Sequence, residues 1–252
     1  MAETANGAEA GFPVDPLYQF VIKPIVPIEI GGVDLSFTNS SLWMFITIAA
    51  VTALLTFATR RRALVPGRLQ SVAELLYETI ANMVRDNVGS AGRAYFPFIF
   101  TLFMFVLFGN LLGMVPSSFT FTSHIVVTFF MAMTIFIAVT VIGFARHGFG
   151  YLRLFFPHGA PAWTAIILVP VELISYFSRP VSHSMRLFAN MMAGHILLKV
   201  FAGFVLLLGV AGVVPLAALV GITALEFLVA TLQAYIFTIF ACVYLHDALY
   251  LH

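Results

Sequence analysis

From Ala94 to Ala145 the chain contains no Asp, Glu, Lys or Arg, and the same holds for residues 41–59, 200–225 and 227–246. Each run approaches or exceeds the roughly 18 to 20 apolar residues that cross a hydrocarbon core. Charged residues make up 9 % of the chain and apolar ones 61 %, whereas an ordinary soluble domain carries roughly 25 % charge. So little charge cannot cover a globule's surface. The expected fold is therefore all-α and polytopic, with most of its surface facing lipid or protein.

The same arithmetic removes several function classes. A formal net charge of +1, with no basic cluster beyond Arg60, Arg61 and Arg62, leaves no footprint for nucleic acid. The single cysteine, Cys242, excludes a disulfide scaffold and an all-thiolate zinc site. No phosphate loop, dinucleotide-binding glycine motif or HExxH motif is present, so neither a cofactor nor a metal is expected and nucleotide chemistry belongs to a partner. Met1 to Pro13 has no Lys, Arg or apolar core and does not read as a cleaved signal peptide.

Along the chain, residues 1–40 form an acidic extramembrane segment in which Pro13, Pro16, Pro24 and Pro27 forbid a long helix. A first span over 41–59 ends in Arg60, Arg61 and Arg62, which places that end in the cytoplasm and the N-terminus outside. Over 68–88, Leu69, Val72, Leu76, Ile80 and Met83 recur at helical spacing opposite Glu74, Glu78, Arg85 and Asp86, and Ser71 with Glu74 reads as a capping box. This one amphipathic helix belongs in the interface plane or against a partner helix. A transmembrane hairpin over 96–145 breaks at Pro116-Ser117-Ser118 and is followed by Arg146 and Arg153. Residues 161–252 complete about five crossings with a helix hairpin and put His252 in the cytoplasm. The stretch from Pro161 to Leu208 would reach about 72 Å as one helix, so it must tilt steeply, bend or break, with Pro170 and Pro180 as interruptions.

Ionisable residues inside these stretches need an explanation, because each costs about 2.5 to 3.5 kcal/mol near the bilayer centre. Glu172, Arg186, Lys199 and Glu226 are the candidates, and Arg179 is weighed with them. For Glu172, Arg179 and Lys199, interfacial placement, snorkelling or a structural ion pair is as good an explanation as a functional one. Arg186 and Glu226 lie deeper in apolar sequence. If the last two helices turn near residue 212, His195 lies level with about residue 229, within a turn of Glu226, and Arg186 lies level with about 238. Gln233 falls between them. Nine residues at about 100° each put His195 on the opposite face of its helix from Arg186 and about 13 Å away, while Asn190 shares the face of Arg186. Arg186 is a permanent cation that can attract a carboxylate and repel a passing proton; His195 and Glu226 can both exchange protons.

These residues fall in a recognisable order. Met185-Arg186-Leu187-Phe188-Ala189-Asn190-Met191-Met192-Ala193-Gly194-His195, then Leu225-Glu226 and Leu232-Gln233-Ala234-Tyr235-Ile236-Phe237, closely resemble subunit a of F-type ATP synthases. So does Phe108-Gly109-Asn110-Leu111-Leu112-Gly113-Met114-Val115-Pro116, and the resemblance runs from about Asp15 to His246. It implies a non-catalytic stator in a bacterial inner membrane, pressed against a rotating c-subunit ring, with b-type peripheral-stalk subunits and the other synthase subunits, lipid and protons as partners. Carried over by position, Arg186 would face the ring carboxylate and separate two offset half-channels. His195, Glu226, Gln233, Asn190 and Asn110 would line or border the outer one, and Glu172 with Ser175 the cytoplasmic one. Many bacterial members have Glu where His195 stands and His where Glu226 stands; the exchanged arrangement resembles the mitochondrial type and its closest bacterial relatives.

Other classes fit less well. A secondary proton-coupled transporter should show inverted repeats with broken helices in matching halves, which this chain lacks. A self-contained channel would leak without a rotor. An intramembrane hydrolase needs a nucleophile beside a base or clustered metal ligands, and His183 and His195 have no Glu motif between them.

Overall fold

The computed structural model describes residues 17–30, 33–34, 36–60, 66–115, 118–155 and 165–250. Pro13, Asp15, Pro16, Arg61, Arg62, Pro116, Ser117, Pro161 and His252, on which parts of the sequence reading rest, lie outside them. Six α-helices dominate: α1 (Asn39–Thr59), α2 (Arg68–Val88), α3 (Phe96–Gly113), α4 (Ile125–His147), α5 (Ala165–Leu207) and α6 (Val213–Leu249). Among the described residues, five helical stretches are long and apolar enough to cross a membrane, and α2 is not one of them. The chain is thus an all-α polytopic membrane protein. The segment before α1, expected to be irregular, also contains two small antiparallel pairs, β1 (Pro24–Val26) with β4 (Phe37–Thr38) and β2 (Glu29–Ile30) with β3 (Val33–Asp34).

The helix ends follow from local chemistry. The hydroxyl of Thr38 accepts from the Ser41 amide at 3.4 Å and opens α1, and Pro97 occupies the first turn of α3, where its missing N–H costs nothing. Helix α2 starts one turn earlier than the capping-box reading required. Ser71 is already inside it, its hydroxyl donating to Gly67 O at 3.2 Å, while Glu74 Oε1 accepts from Gln70 Nε2 at 2.8 Å rather than reaching back to a cap. Helix α5 neither breaks at Pro170 nor at Pro180: 43 residues run without interruption, about 64 Å at the usual rise. That is about twice a hydrocarbon thickness, so the helix must tilt steeply or project beyond the bilayer. The turn into α6 relies on glycine. Gly209 has φ +53, and a Cβ on Gly212 would lie 2.5 Å from the Val205 carbonyl oxygen.

Packing centres on α6, which contacts α2, α3, α4 and α5. Its inner face is built from Ala230, Ala234, Ala241, Cys242 and Ala248, all buried; small side chains let helix backbones approach closely where no water drives them together. Ile80, Met83, Val84 and Val88 of α2, Ile99, Phe103 and Val106 of α3, Ala132, Ile135 and Val139 of α4, and Leu187 and Met191 of α5 complete one core. The apolar stripe of α2 is buried only from Ile80 onward; Leu69 and Val72 remain exposed. Hydroxyls inside apolar stretches are satisfied within their own helices, as in Thr47 to Trp43 O and Thr238 to Ala234 O, both 2.8 Å.

Gly143 of α4 lies against Tyr151 in the 3₁₀ segment Gly148–Phe155, and a Cβ there would stand 2.6 Å from Tyr151 Cζ. Gly143→Ala should therefore displace the ring and break the 3.0 Å contact between the Tyr151 and Tyr176 hydroxyls. The expected cost is about 1–3 kcal/mol, seen as a lower thermal midpoint of the purified complex; an unchanged midpoint would contradict it.

Candidate functional site

The two long helices meet at a series of opposed positions: Arg179 faces Asp247, Arg186 faces Phe240, and Gly194 faces Glu226. The register read from a turn near residue 212 places the same residues within about a turn of each other.

Arg186 is exposed on the outside of the hairpin, its guanidinium 4.4 Å from the centre of the Phe240 ring, a cation–π contact. Among the described residues it forms no ion pair. Asn190, one turn on, is exposed on the same face. Leu187 and Met191, on the other side of α5, are buried in the core and hold the helix in this orientation.

His195, Glu226, Gln233 and Asn110 point the other way and are buried. Glu226 is only 4 % exposed, and neither carboxylate oxygen has a hydrogen-bond partner among the described residues. It sits directly over Gly194: a Cβ there would clash with Oε1 and stand 2.8 Å from Cδ. The lack of a side chain at residue 194 is what gives the carboxyl room beside the turn that carries His195. Asn110, fully buried on α3, donates from Nδ2 to Ala230 O at 3.1 Å, one turn from Glu226 and three residues before Gln233; its Oδ1 is left without a partner. A protonatable carboxyl, an imidazole and two amides thus gather between α3, α5 and α6. A buried carboxyl with unpaired oxygens is costly and belongs where protons or water can reach it.

Several contributors to this cluster were not singled out from sequence. The turn between α3 and α4 folds back so that Thr120 Oγ1 lies 3.0 Å from His195 Nε2 and 3.0 Å from Gly113 O. The ring of Phe20, from the 3₁₀ turn Tyr18–Phe20, meets the imidazoles of His195 and His124 edge-on, with centroids 6.4 Å away in each case. The only sequence signal was the hydroxyl-rich run Ser117 to Ser123, which also suits an ordinary exposed turn. His183 is buried too, 3.9 Å from the Phe237 ring centre.

Glu172 is half-buried and Ser175 exposed on the first half of α5, about 16 Å or more along the helix from Arg186, so they stand apart from the inner cluster. Lys199, half-buried, follows His195 by one turn. Arg179 takes the structural role open to it: it donates to Asp247 Oδ2 at 2.9 Å and lies between the rings of Tyr176 and Tyr244, at 5.5 and 5.3 Å. Tyr176 in turn is hydrogen-bonded to Thr140 at 2.7 Å, which ties α4, α5 and α6 together at that end. Among the described residues no three His, Cys, Asp or Glu side chains are grouped as a metal ion would require.

Comparison with known proteins adds independent findings. Residues 41–246 match the family model described as ATP synthase A chain. The chain is 62 % identical over 245 residues to ATP synthase subunit a of Paramagnetospirillum magneticum, covering 94 % of this chain and 99 % of that protein. It is 64 % identical over 238 residues to the subunit of Rhodospirillum rubrum, with 94 % and 99 % covered. With that of Parvibaculum lavamentivorans it shares 57 % over 257 residues, 99 % of each.

Proposed function

Because the chain belongs to the ATP synthase A chain family, we propose that Arg186 is the fixed cation separating two offset half-channels of its proton path. The protein is a non-catalytic, multi-pass subunit of the inner membrane, part of the Fo proton channel of a bacterial F-type ATP synthase, and it works with the other subunits of that complex.

In the reading we favour, protons enter from outside through a path lined by His195, Glu226, Gln233 and Asn110 and bordered by Asn190. They neutralise a carboxylate on a rotating c-subunit ring, which then moves into lipid. After nearly a full turn the carboxyl meets Arg186, gives up its proton towards Glu172 and Ser175 on the cytoplasmic side, and is held as an ion pair. The N-terminus lies outside, the C-terminus in the cytoplasm, and α2 meets the b-type peripheral stalk. Each charge crossing 100 mV yields about 2.3 kcal/mol, so several protons are needed for each ATP made elsewhere in the complex.

The observation that carries this reading is the division of α5 between two faces. An exposed arginine without an internal carboxylate stands on one face, and a buried imidazole beside a buried, unpaired carboxyl stands on the other. Exchanging the pair tests it. His195→Glu combined with Glu226→His is expected to retain more ATP-driven pumping in inverted vesicles than either single change, since both proton-exchanging groups survive. A double variant no better than the worse single one would count against a shared relay.

A further inference from the structure

The buried polar surface does not stop at His195. Beyond Thr120 the same turn buries Thr122 Oγ1, Ser123 Oγ and His124 Nε2, and none of the three has a hydrogen-bond partner among the described residues. A buried donor or acceptor left unpaired is costly, so three in consecutive residues call for a role that the fold alone does not supply. The His124 ring is stacked on Phe119, 5.0 Å centroid to centroid, and shares Phe20 as a neighbour with the His195 ring. The residue is half-buried and lies just before α4, outside the spanning stretch, so one side of it is open while Nε2 points inward.

We propose that His124 is the outermost proton-exchanging group of the inlet, passing protons to His195 through the hydroxyls of Ser123, Thr122 and Thr120 and intervening water, with Phe20 capping the turn. This rests on the reading of His195 and Glu226 as inlet residues. The imidazole accepts a proton at one nitrogen and releases one from the other, and each hydroxyl releases one as it receives one; every group is left neutral, the ring in its other tautomer and the hydroxyls reoriented, and rotation of each resets the path for the next proton. Thr120 suits the last step, because its Oγ1 is equally close to Gly113 O and to His195 Nε2 and can swing between them. Burial holds the His124 pKa below the usual histidine range, which keeps the ring neutral and ready to accept. The other titratable or charged groups at this end of the elements around it are His195 and Lys199 on α5, Glu226 on α6, and Tyr18 with Lys23, which bond each other at 2.8 Å, while Glu172, Arg179, His183 and Arg186 of α5 and Tyr235, Cys242, Tyr244, His246 and Asp247 of α6 lie farther along the hairpin, away from its turn. Helices α1 and α3 carry none, and those of α4, Arg146 and His147, stand at its far end.

The test uses the whole synthase in liposomes, with ATP synthesis driven by an imposed potential while the pH on the inlet side is varied. His124→Ala and His124→Gln should each lose about tenfold at about pH 8 and recover nearly fully at about pH 6, where free protons are abundant enough to reach His195 directly. Free imidazole should restore His124→Ala and should leave Glu226→Gln unchanged. Wild-type rates at every pH, or a constant fractional loss that imidazole does not relieve, would overturn the proposal. Glu226→Gln, assayed alongside, separates the two levels: if it makes ATP normally, the inlet reading itself falls, whereas if it is inactive while the His124 variants match wild type, only the role of His124 falls.

Discussion

Arg186→Ala is expected to abolish ATP-driven proton pumping while leaving the complex assembled. The physical reason is that Arg186 is exposed on α5 with its guanidinium over the face of Phe240, so truncation opens no cavity in the core formed by Leu187 and Met191 on the opposite side. What disappears is a permanent positive charge, and with it both the attraction for a ring carboxylate and the barrier to a proton leaking between half-channels. Arg186→Lys should recover little, because an ammonium lacks the flat fork that holds a carboxylate at two points. The measurement is acidification of inverted vesicles on adding ATP, paired with co-purification of the remaining subunits. Normal pumping by the alanine variant would remove the basis of the proposed function.

The second large effect is expected at Gly194. A valine there must displace the Glu226 carboxyl, since even a bare Cβ would lie 2.8 Å from Cδ and 3.2 Å from Cγ. Overpacking of this kind costs about 1–3 kcal/mol, and if that cost falls on the position of the carboxyl, proton flux drops by about fivefold to 150-fold. Gly194→Ala should do less, because the atoms it meets belong to the end of a flexible side chain. Adding Glu226→Asp to Gly194→Val shortens the acid by one methylene and should restore part of the flux. If Gly194→Val conducts at the wild-type rate in a potential-driven assay, the close approach at this point has no functional weight.

Much of the site was legible in the sequence because it depends on position along helices. The separation of Arg186 from His195 follows from nine residues at a fixed angular step, and the levels of Arg186 and Glu226 follow from where the hairpin turns. The burial pattern agrees: Arg186 and Asn190 are exposed, and His195, Glu226 and Gln233 are buried. Local rules misled where packing overrode them. Two prolines inside α5 suggested an interruption, yet its 43 residues form one continuous helix, which leaves tilting or projection beyond the bilayer as the way to fit its length. Ser71 and Glu74 had the spacing of a cap, yet the helix begins at Arg68, with Gly67 in extended backbone at its cap position.

Tertiary structure alone decided which distant groups meet. Asp247 as the partner of Arg179, Ala230 O as the acceptor for Asn110, Thr120 on His195, and Phe20 against two histidines join residues separated by tens of positions or more. No period or motif encodes such pairs, because they arise from where turns fold back rather than from the repeat of any helix. The sequence by itself determined the membrane class, the number of spans and the faces of the candidate residues: the bilayer penalises each misplaced charge, and helical geometry is nearly invariant. The fold decided the shape of the polar interior, since that depends on the simultaneous packing of α3, α5, α6 and two connecting turns.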